Sequence, residues 1–343
     1  MDFSTVMKNK KWLVYFSMLL CCLFKYSISP GQTYFKGFGD VTTGFENNKV
    51  SFGLGEQDLF ITSEISNRLS FLGETVFKLD SLSHSGFDVS IERFLVKYGI
   101  IGNNSVVIGK LHSPLNYWND NYHHGRIFFP TIYRPLLFES EIIPLHTTGI
   151  NLQGHDLGNL KFGYDLMIGN GLGSSDVKDN DRYKSFTAAL HIKPFQKFRI
   201  GASYYKDVIS KGAKMHEGRI ITQQVKQRLY SGSVSYFGNK FEFLAEGSWA
   251  NNTTDSTGKK KSLAYYFYAG FRITEKLTAY TRVDAVHSEE GELFYEKNNT
   301  SSFLAGIRFK LNYLAVLKME YQHEDREMEG VRNSITAQVA VRF

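Results

Sequence analysis

Beyond residue 32, apolar side chains recur at every second position rather than every third or fourth. Leu160, Phe162, Tyr164, Leu166 and Ile168 alternate with Lys161, Gly163, Asp165 and Met167. Leu263 to Ile273 and Phe303 to Leu311 repeat the pattern with Ser, Ala, Tyr, Gly, Arg and Lys between the apolar positions. Period two means strands with one apolar face and one polar or small face. Sixteen such segments are predicted, at 33–44, 55–66, 69–79, 87–98, 104–111, 148–154, 160–169, 185–193, 198–207, 225–237, 240–251, 262–273, 277–287, 302–312, 314–324 and 334–343. In 87–98 the apolar parity slips near Glu92-Arg93, which predicts a bulge.

The links between segments sort into two classes. Short ones fall around Asn67-Arg68, Gly102-Asn103, Gly158-Asn159, Pro194–Lys197, Gly238-Asn239, Thr274–Lys276 and Asn312. The others, 45–54, 80–86, 112–147, 170–184, 208–224, 252–261, 288–301 and 325–333, read as longer and polar, and the two kinds alternate along the chain. Strict alternation suits a transmembrane antiparallel β-barrel, with short turns on the periplasmic rim and long loops outside. The expected fold is therefore all-β, a barrel of about 16 strands. The three strips at 160–168, 263–273 and 303–311 are each about as long as a tilted strand needs to cross a bilayer. First strand must close on last, because an open edge in hydrocarbon leaves backbone groups unpaired.

Composition supports strands over helices. Of 343 residues, 28 are Phe, 20 Tyr and 30 Gly, with 6 Pro, while mean hydropathy is slightly negative at −0.26. Residues 1–31 read as an export signal: Lys8, Lys10 and Lys11 precede the apolar run Trp12–Phe24, which is too short to span a bilayer as a helix. A membrane-anchoring first helix is the alternative, although Lys25 interrupts its far end. Cys21 and Cys22 both lie in this stretch, so barrel residues 32–343 have no thiolate ligand, cysteine nucleophile or disulfide. Those residues carry 36 basic and 33 acidic side chains, a net charge of +3, too small to point to nucleic acid.

Several features together resemble the porin family of Gram-negative outer membranes: the signal, the sixteen segments, one dominant loop after the fifth, and the terminal Phe343 after Ile335, Ala337, Val339 and Val341. More narrowly, KLHSPLNYWNDNYHHG, followed by Arg134-Pro135 and Pro144–His146, is similar to a segment of porin-like proteins of uncertain substrate. The resemblance implies residence in the cell outer membrane, contact with its lipid, a homotrimer, and a third outer loop, 112–147, folded into the lumen to narrow it. The loop's composition agrees, since Phe128, Phe129, Ile132, Leu136, Leu137, Phe138, Ile142 and Ile143 would sit badly in water.

A barrel of this size has room for an aqueous channel. The expected function is a passive pore for small hydrophilic solutes or ions, with selectivity set at the loop by Trp118, Asp120, His123, His124, Arg126, Arg134, Glu139 and Glu141. Arg126 and Arg134 would be opposed by Asp120, Glu139 and Glu141. Arg199, Arg272, Arg282, Arg308 and Arg342 have the parity of lumen-lining residues, and their surplus suggests a mild anion preference. The same parity gives the lumen Glu74, Lys78, Lys161, Asp165, Glu242, Glu246, Asp284, Lys318, Glu320 and Gln338, all expected to meet water. Two readings compete: a substrate-specific channel for sugar, phosphate or a metal complex, with the aromatic, His-rich loop as its platform, and an outer-membrane enzyme. The enzyme finds little support, as no G-x-S-x-G element occurs. No catalytic residue and no cofactor are expected. His112, His123, His124 and His146 are open to three uses: loop-anchoring hydrogen bonds, solute contact, or metal ligation with a carboxylate such as Asp120.

Overall fold

The computed structural model describes residues 31–79, 87–122, 125–172, 179, 181–214, 220–292, 294–295 and 299–343. The expected export signal falls almost wholly outside the described residues, as do His123 and His124.

Sixteen strands form one closed antiparallel barrel, each paired to its neighbours in sequence and the first to the last. They are β1 (Gln32–Glu46), β2 (Lys49–Ser66), β3 (Leu69–Leu79), β4 (Phe87–Gly99), β5 (Asn104–His112), β6 (His146–Leu157), β7 (Phe162–Gly169) and β8 (Ser185–Ile192). The second half is β9 (Phe198–Ile209), β10 (Val225–Phe237), β11 (Phe241–Thr254), β12 (Gly258–Arg272), β13 (Leu277–Ser288), β14 (Thr300–Lys310), β15 (Ala315–Arg326) and β16 (Gly330–Arg342). Between β5 and β6 the chain adds two short helices, α1 (Tyr117–Asn121) and α2 (Leu136–Glu139).

Alternation decides which way each side chain points. On β12, Leu263, Tyr265, Phe267 and Phe271 are more than 40% exposed on the outer face, whereas Ala264, Tyr266 and Tyr268 are at most 1% exposed inside. β10 alternates likewise from Val225 onward. β1 meets β16 in register from Phe38 opposite Arg342 to Glu46 opposite Ser334. Gly37 and Phe343 complete the seam with two main-chain hydrogen bonds of 2.8 and 2.9 Å. The bulge foreseen in β4 is present: Glu74 faces Arg93 and Thr75 faces Ile91, which leaves Glu92 as the extra residue.

The two rims differ, but three links on the long-link side are much shorter than expected. β1 and β2 run on to a two-residue turn at Asn47-Asn48, both with positive φ (48° and 60°), the backbone demanded by a tight hairpin turn. Val50, Phe52 and Leu54 simply continue the outer face of β2. β11 and β12 extend to a turn at 255–257, and β15 and β16 to one at 327–329. The β11–β12 tip has no apolar residue, so no alternation marks it as strand, and at the β15–β16 tip Val331 is the outward apolar residue. Lys161 is likewise corrected: it stands in the turn before β7, exposed and with positive φ, and does not line the lumen.

Candidate functional site

The segment between β5 and β6 starts and ends at one level, because His112 and His146 face each other as the last ladder pair. Their rings are 5.2 Å apart, and His146 Nε2 lies 3.2 Å from Glu92 Oε2 on the bulge. Asn119, fully buried, ties the neck together by donating from Nδ2 to the carbonyls of Ser113 (2.8 Å) and Leu145 (3.1 Å).

From this neck the loop enters the barrel and covers the inner faces of β9 to β15. Leu115, Trp118, Phe129, Leu137, Phe138, Ile142 and Ile143 form a single core with Tyr205, Leu229, Leu244, Tyr266, Tyr268 and Tyr280 of the wall. Trp118, 1% exposed, packs edge-on against Phe129 and Tyr122 (5.3 Å each) and Tyr266 (6.1 Å). It therefore faces protein, not the water of a pore. Phe294 and Tyr295, in a link expected to be polar, also turn inward and join this core.

The wall's buried charges hold the loop's main chain. Neither helix has a side-chain cap of its own. The N–H groups at the start of α1 are free of helical partners, and Glu246 of β11 takes two of them, from Tyr117 (2.6 Å) and Trp118 (2.9 Å). Asp284 of β13 accepts from the first N–H of α2, Leu136 (3.1 Å), and Glu320 of β15 accepts from Ile132 N–H (2.7 Å). Cations take the carbonyls. Arg282 donates to Tyr133 O (2.9 Å) and Arg134 O (3.2 Å), and also to Thr131 Oγ1 (2.7 Å). Arg308 donates to Pro130 O (3.1 Å), and Lys318 to Thr131 O (3.0 Å) and Arg126 O (2.5 Å). Five of these six ions also have a neighbour of opposite charge or a hydroxyl: Arg282 with Asp284 (2.7 Å), Arg308 with both oxygens of Glu242 (2.8 Å), Tyr280 on Glu320 (2.8 Å) and Tyr266 on Glu246, while Lys318 rests on its two carbonyls. Buried charge is tolerated only with such partners. Arg282, Arg308, Glu246, Asp284, Lys318 and Glu320 are thus anchors, contrary to the expectation that they meet lumen water.

The loop's own charges face the opposite wall. Arg126 reaches Asp40 of β1 and Glu56 of β2, at 3.5 Å each, and Glu56 also pairs with Lys78 at 3.0 Å. Opposite Asp40 the ladder passes from Gln57 to Leu54 of β2, so the extra residue lies at Gly55-Glu56 and lets Glu56 turn inward although Leu54 faces out. Burial opposes charge on Arg126, but Glu56 and Asp40 outweigh it and raise the guanidinium's pKa. For Arg134 burial prevails over Glu56, and its pKa falls. The field across the lumen therefore runs between loop arginines and wall carboxylates, not within the loop as expected. Asp120 instead pairs with Arg199 of β9 (2.8 Å), which also contacts His191 Nδ1 (3.1 Å) and lies over the Tyr117 ring. Glu139 opens to the vestibule, and enclosure by the barrel, then Asp284 and Glu324, push its pKa up to about 7 against the pull of Arg282 and Arg134. Glu141 sits at a positive-φ corner after α2. Arg272 is half-buried near Glu242 (3.4 Å), and Arg342 stacks over Phe128 and Tyr313.

Two sizeable cavities border the loop. One of about 300 Å³ opens toward the long-link rim between Thr42, Arg134, Glu139, Glu324 and Arg332. The other, about 460 Å³, opens toward the short-turn rim between Tyr117, Asp120, His155, His191, Arg199 and Phe237. Among the described residues no three His, Cys, Asp or Glu side chains gather as a metal site.

No protein-family model matches this chain, and no curated protein matches it. Its fold is similar to those of solved outer-membrane proteins. OmpT of Vibrio cholerae, in its trimer form, superposes with a TM-score of 0.66 at 13% identity, covering 92% of this chain and 100% of that one. An anion-selective porin from Comamonas acidovorans gives 0.63 at 11% identity, covering 91% and 100%. The outer membrane channel DcaP of Acinetobacter baumannii gives 0.63 at 11% identity, covering 92% and 99%. At these identities the likeness is one of fold.

Proposed function

We propose that the chain is an outer-membrane porin, a water-filled passive channel for small hydrophilic solutes or ions, narrowed by the loop between β5 and β6 and performing no chemical step. The observation that carries this reading is the division of the lumen. One half is filled by the anchored loop, while Arg126 and Arg134 face Asp40, Glu56 and Glu92 on the other. These charges and the cavity of about 300 Å³ beside Arg134 and Glu139 give a polar lining whose balance would set selectivity. The wall there also carries Lys78, Arg93 and Lys110, and cations and carboxylates roughly cancel. With Arg282 and Arg308 neutralised as anchors, the channel is weakly selective rather than strongly anion-preferring. Assembly as a homotrimer belongs to the same proposal, supported by the trimeric form of a structural neighbour.

Single-channel recording in planar bilayers, with reversal potentials in a salt gradient, tests the proposal. Stepwise conductance is expected from wild type, and its absence from pure folded protein would overturn it. A second reading has its own support: the cavity of about 460 Å³ combines the stacked rings of Tyr117 and Phe237 with Arg199 and His191, a lining fit for one bound polar solute. A solute that blocks conductance at low concentration, with block lost in Tyr117→Ala, distinguishes a specific channel from a general one.

A further inference from the structure

On β9 to β12 the outer, lipid-directed face changes character within two residues on each strand. Moving toward the long-link rim, Tyr204 is followed by Lys206 on β9, and Trp249 by Asn251 on β11. Entering from that rim, Lys226 and Arg228 precede Tyr230 on β10, and Lys259 and Lys261 precede Leu263 and Tyr265 on β12. These strands are adjacent, and the ladder places Arg228 beside Lys206 on one side and Asn251 on the other, with Lys261 next to Asn251. The five cations are exposed. Among the described residues, Lys206, Lys226, Arg228 and Lys259 have no ion-pair partner. Lys261 Nζ lies 5.7 Å from the centre of the Trp249 ring, and the nearby Glu289 is engaged by the Lys261 main-chain N–H (3.0 Å). The opposite arc lacks the feature: the outward positions at its long-link end are Ser301 on β14, Asp325 on β15, Val331 on β16, Phe45 on β1 and Val50 on β2.

Rings mark the level at which hydrocarbon gives way to headgroups, and lysine or arginine just beyond them reaches the headgroup layer. A cluster of unpaired cations confined to one arc at that level needs anions held at the same depth. We infer that the β9–β12 arc binds a phosphate-bearing lipid headgroup of the outer leaflet, its phosphates between Lys206, Arg228 and Lys261 and its chains beside Tyr204, Tyr230 and Trp249. Charge complementarity selects the occupant, and the ring belt sets its depth. The inference rests on the outer-membrane reading above, but not on conduction.

The test uses purified protein in nanodiscs of zwitterionic phosphatidylcholine doped with a diphosphorylated glycolipid, with bound lipid counted by native mass spectrometry. Wild type retains the glycolipid, and Lys206→Gln/Arg228→Gln/Lys261→Gln lowers its retention by roughly 100-fold, each cation near an anionic surface contributing severalfold. Lys206→Arg/Lys261→Arg keeps retention. A measurement without mutation reads the same point: 1 M salt, which screens such contacts, strips the glycolipid from wild type. Equal retention by wild type and the Gln variant, or retention indifferent to salt, overturns the inference. So does displacement by millimolar inorganic phosphate, which marks a free-anion site, or a wild-type oligomer that dissociates in the Gln variant while lipid retention holds, which marks an interface between copies. Conductance of the Gln variant is recorded alongside: wild-type channels with lost lipid support the inference independently of solute, and lipid binding without channels in wild type overturns the pore alone.

Discussion

The ring of Phe343 occupies the space in which any side chain on Gly37 would stand, while the two main chains exchange hydrogen bonds of 2.8 and 2.9 Å. The terminal aromatic is thus part of the closing seam, and position 37 is open to glycine because of it. Gly37→Leu is expected to lower the yield of folded barrel, read as the heat-modifiable band on semi-native gels. Adding Phe343→Ala to Gly37→Leu recovers part of that yield. Equal folding of Gly37→Leu and wild type would show that the ring has another place to go.

Glu246→Ala frees both N–H groups at the start of α1 and is expected to loosen the loop from the wall. Loss of two hydrogen bonds to a charged acceptor costs about 3–6 kcal/mol in loop attachment, so the barrel persists while the loop partly leaves the lumen. Larger and noisier single-channel conductance is the expected reading. An unchanged trace would show that the apolar core alone holds the loop.

Removing Arg282 alone leaves Asp284 buried without its cation and costs about 3–5 kcal/mol by thermal unfolding. Arg282→Met/Asp284→Asn is expected to be less destabilised than Arg282→Met. The opposite order in a melting series would mean that the carbonyl contacts of Arg282, rather than its ion pair, dominate.

Glu139 carries a pKa raised to about 7, so it is mostly neutral at pH 5 and mostly charged at pH 8. Raising pH through 7 therefore adds negative charge at the vestibule and shifts the reversal potential toward cation preference. Glu139→Gln flattens that shift. The raised carboxyl pKa also favours the folded state below the ordinary value of 4.5, and this contribution is lost as pH rises through about 7.

Arg126→Ala/Arg134→Ala unmasks Asp40, Glu56 and Glu92 and is expected to move selectivity toward cations by severalfold in permeability ratio. Bi-ionic reversal potentials measure it, and an unchanged ratio would place the selective ring elsewhere.

Strand number, the facing of each strand, the Glu92 bulge and the place of Phe343 were all legible in the chain, because period two is a direct projection of a barrel's two solvents. Three hairpin tips were not: from Asn251 to Lys261 no apolar residue occurs and the alternation stops, whereas Val50, Phe52 and Leu54 carry the alternation on into a stretch expected to be loop. Lumen charge was legible only as direction. Parity places Glu246, Asp284, Arg282, Arg308, Lys318 and Glu320 inside, but says nothing of what fills the inside. Their partners are far away in sequence: Trp118 lies 128 positions from Glu246, and Ile132 lies 188 from Glu320. Even the uncapped start of α1 was hidden, because Asn116 is a favoured capping residue and only the structure shows that its side chain makes no capping bond. Trp118, expected in the selective ring, lies in the core, where its large apolar surface is buried.

The anchors have a consequence for how such a protein changes over time. Except for the Arg282 contact with Thr131, every wall-to-loop bond described for these six residues ends on a peptide N–H or carbonyl, groups that nearly any residue possesses. Substitutions at Arg126, Arg134 or Glu139 therefore alter what the lumen presents without removing a bond to these six anchors, although Arg126 gives up its pairing with Asp40 and Glu56. On the proposed pore reading, attachment through these six anchors and the charge presented to solute are written in largely different parts of the chain, so selection can retune one with little effect on the other.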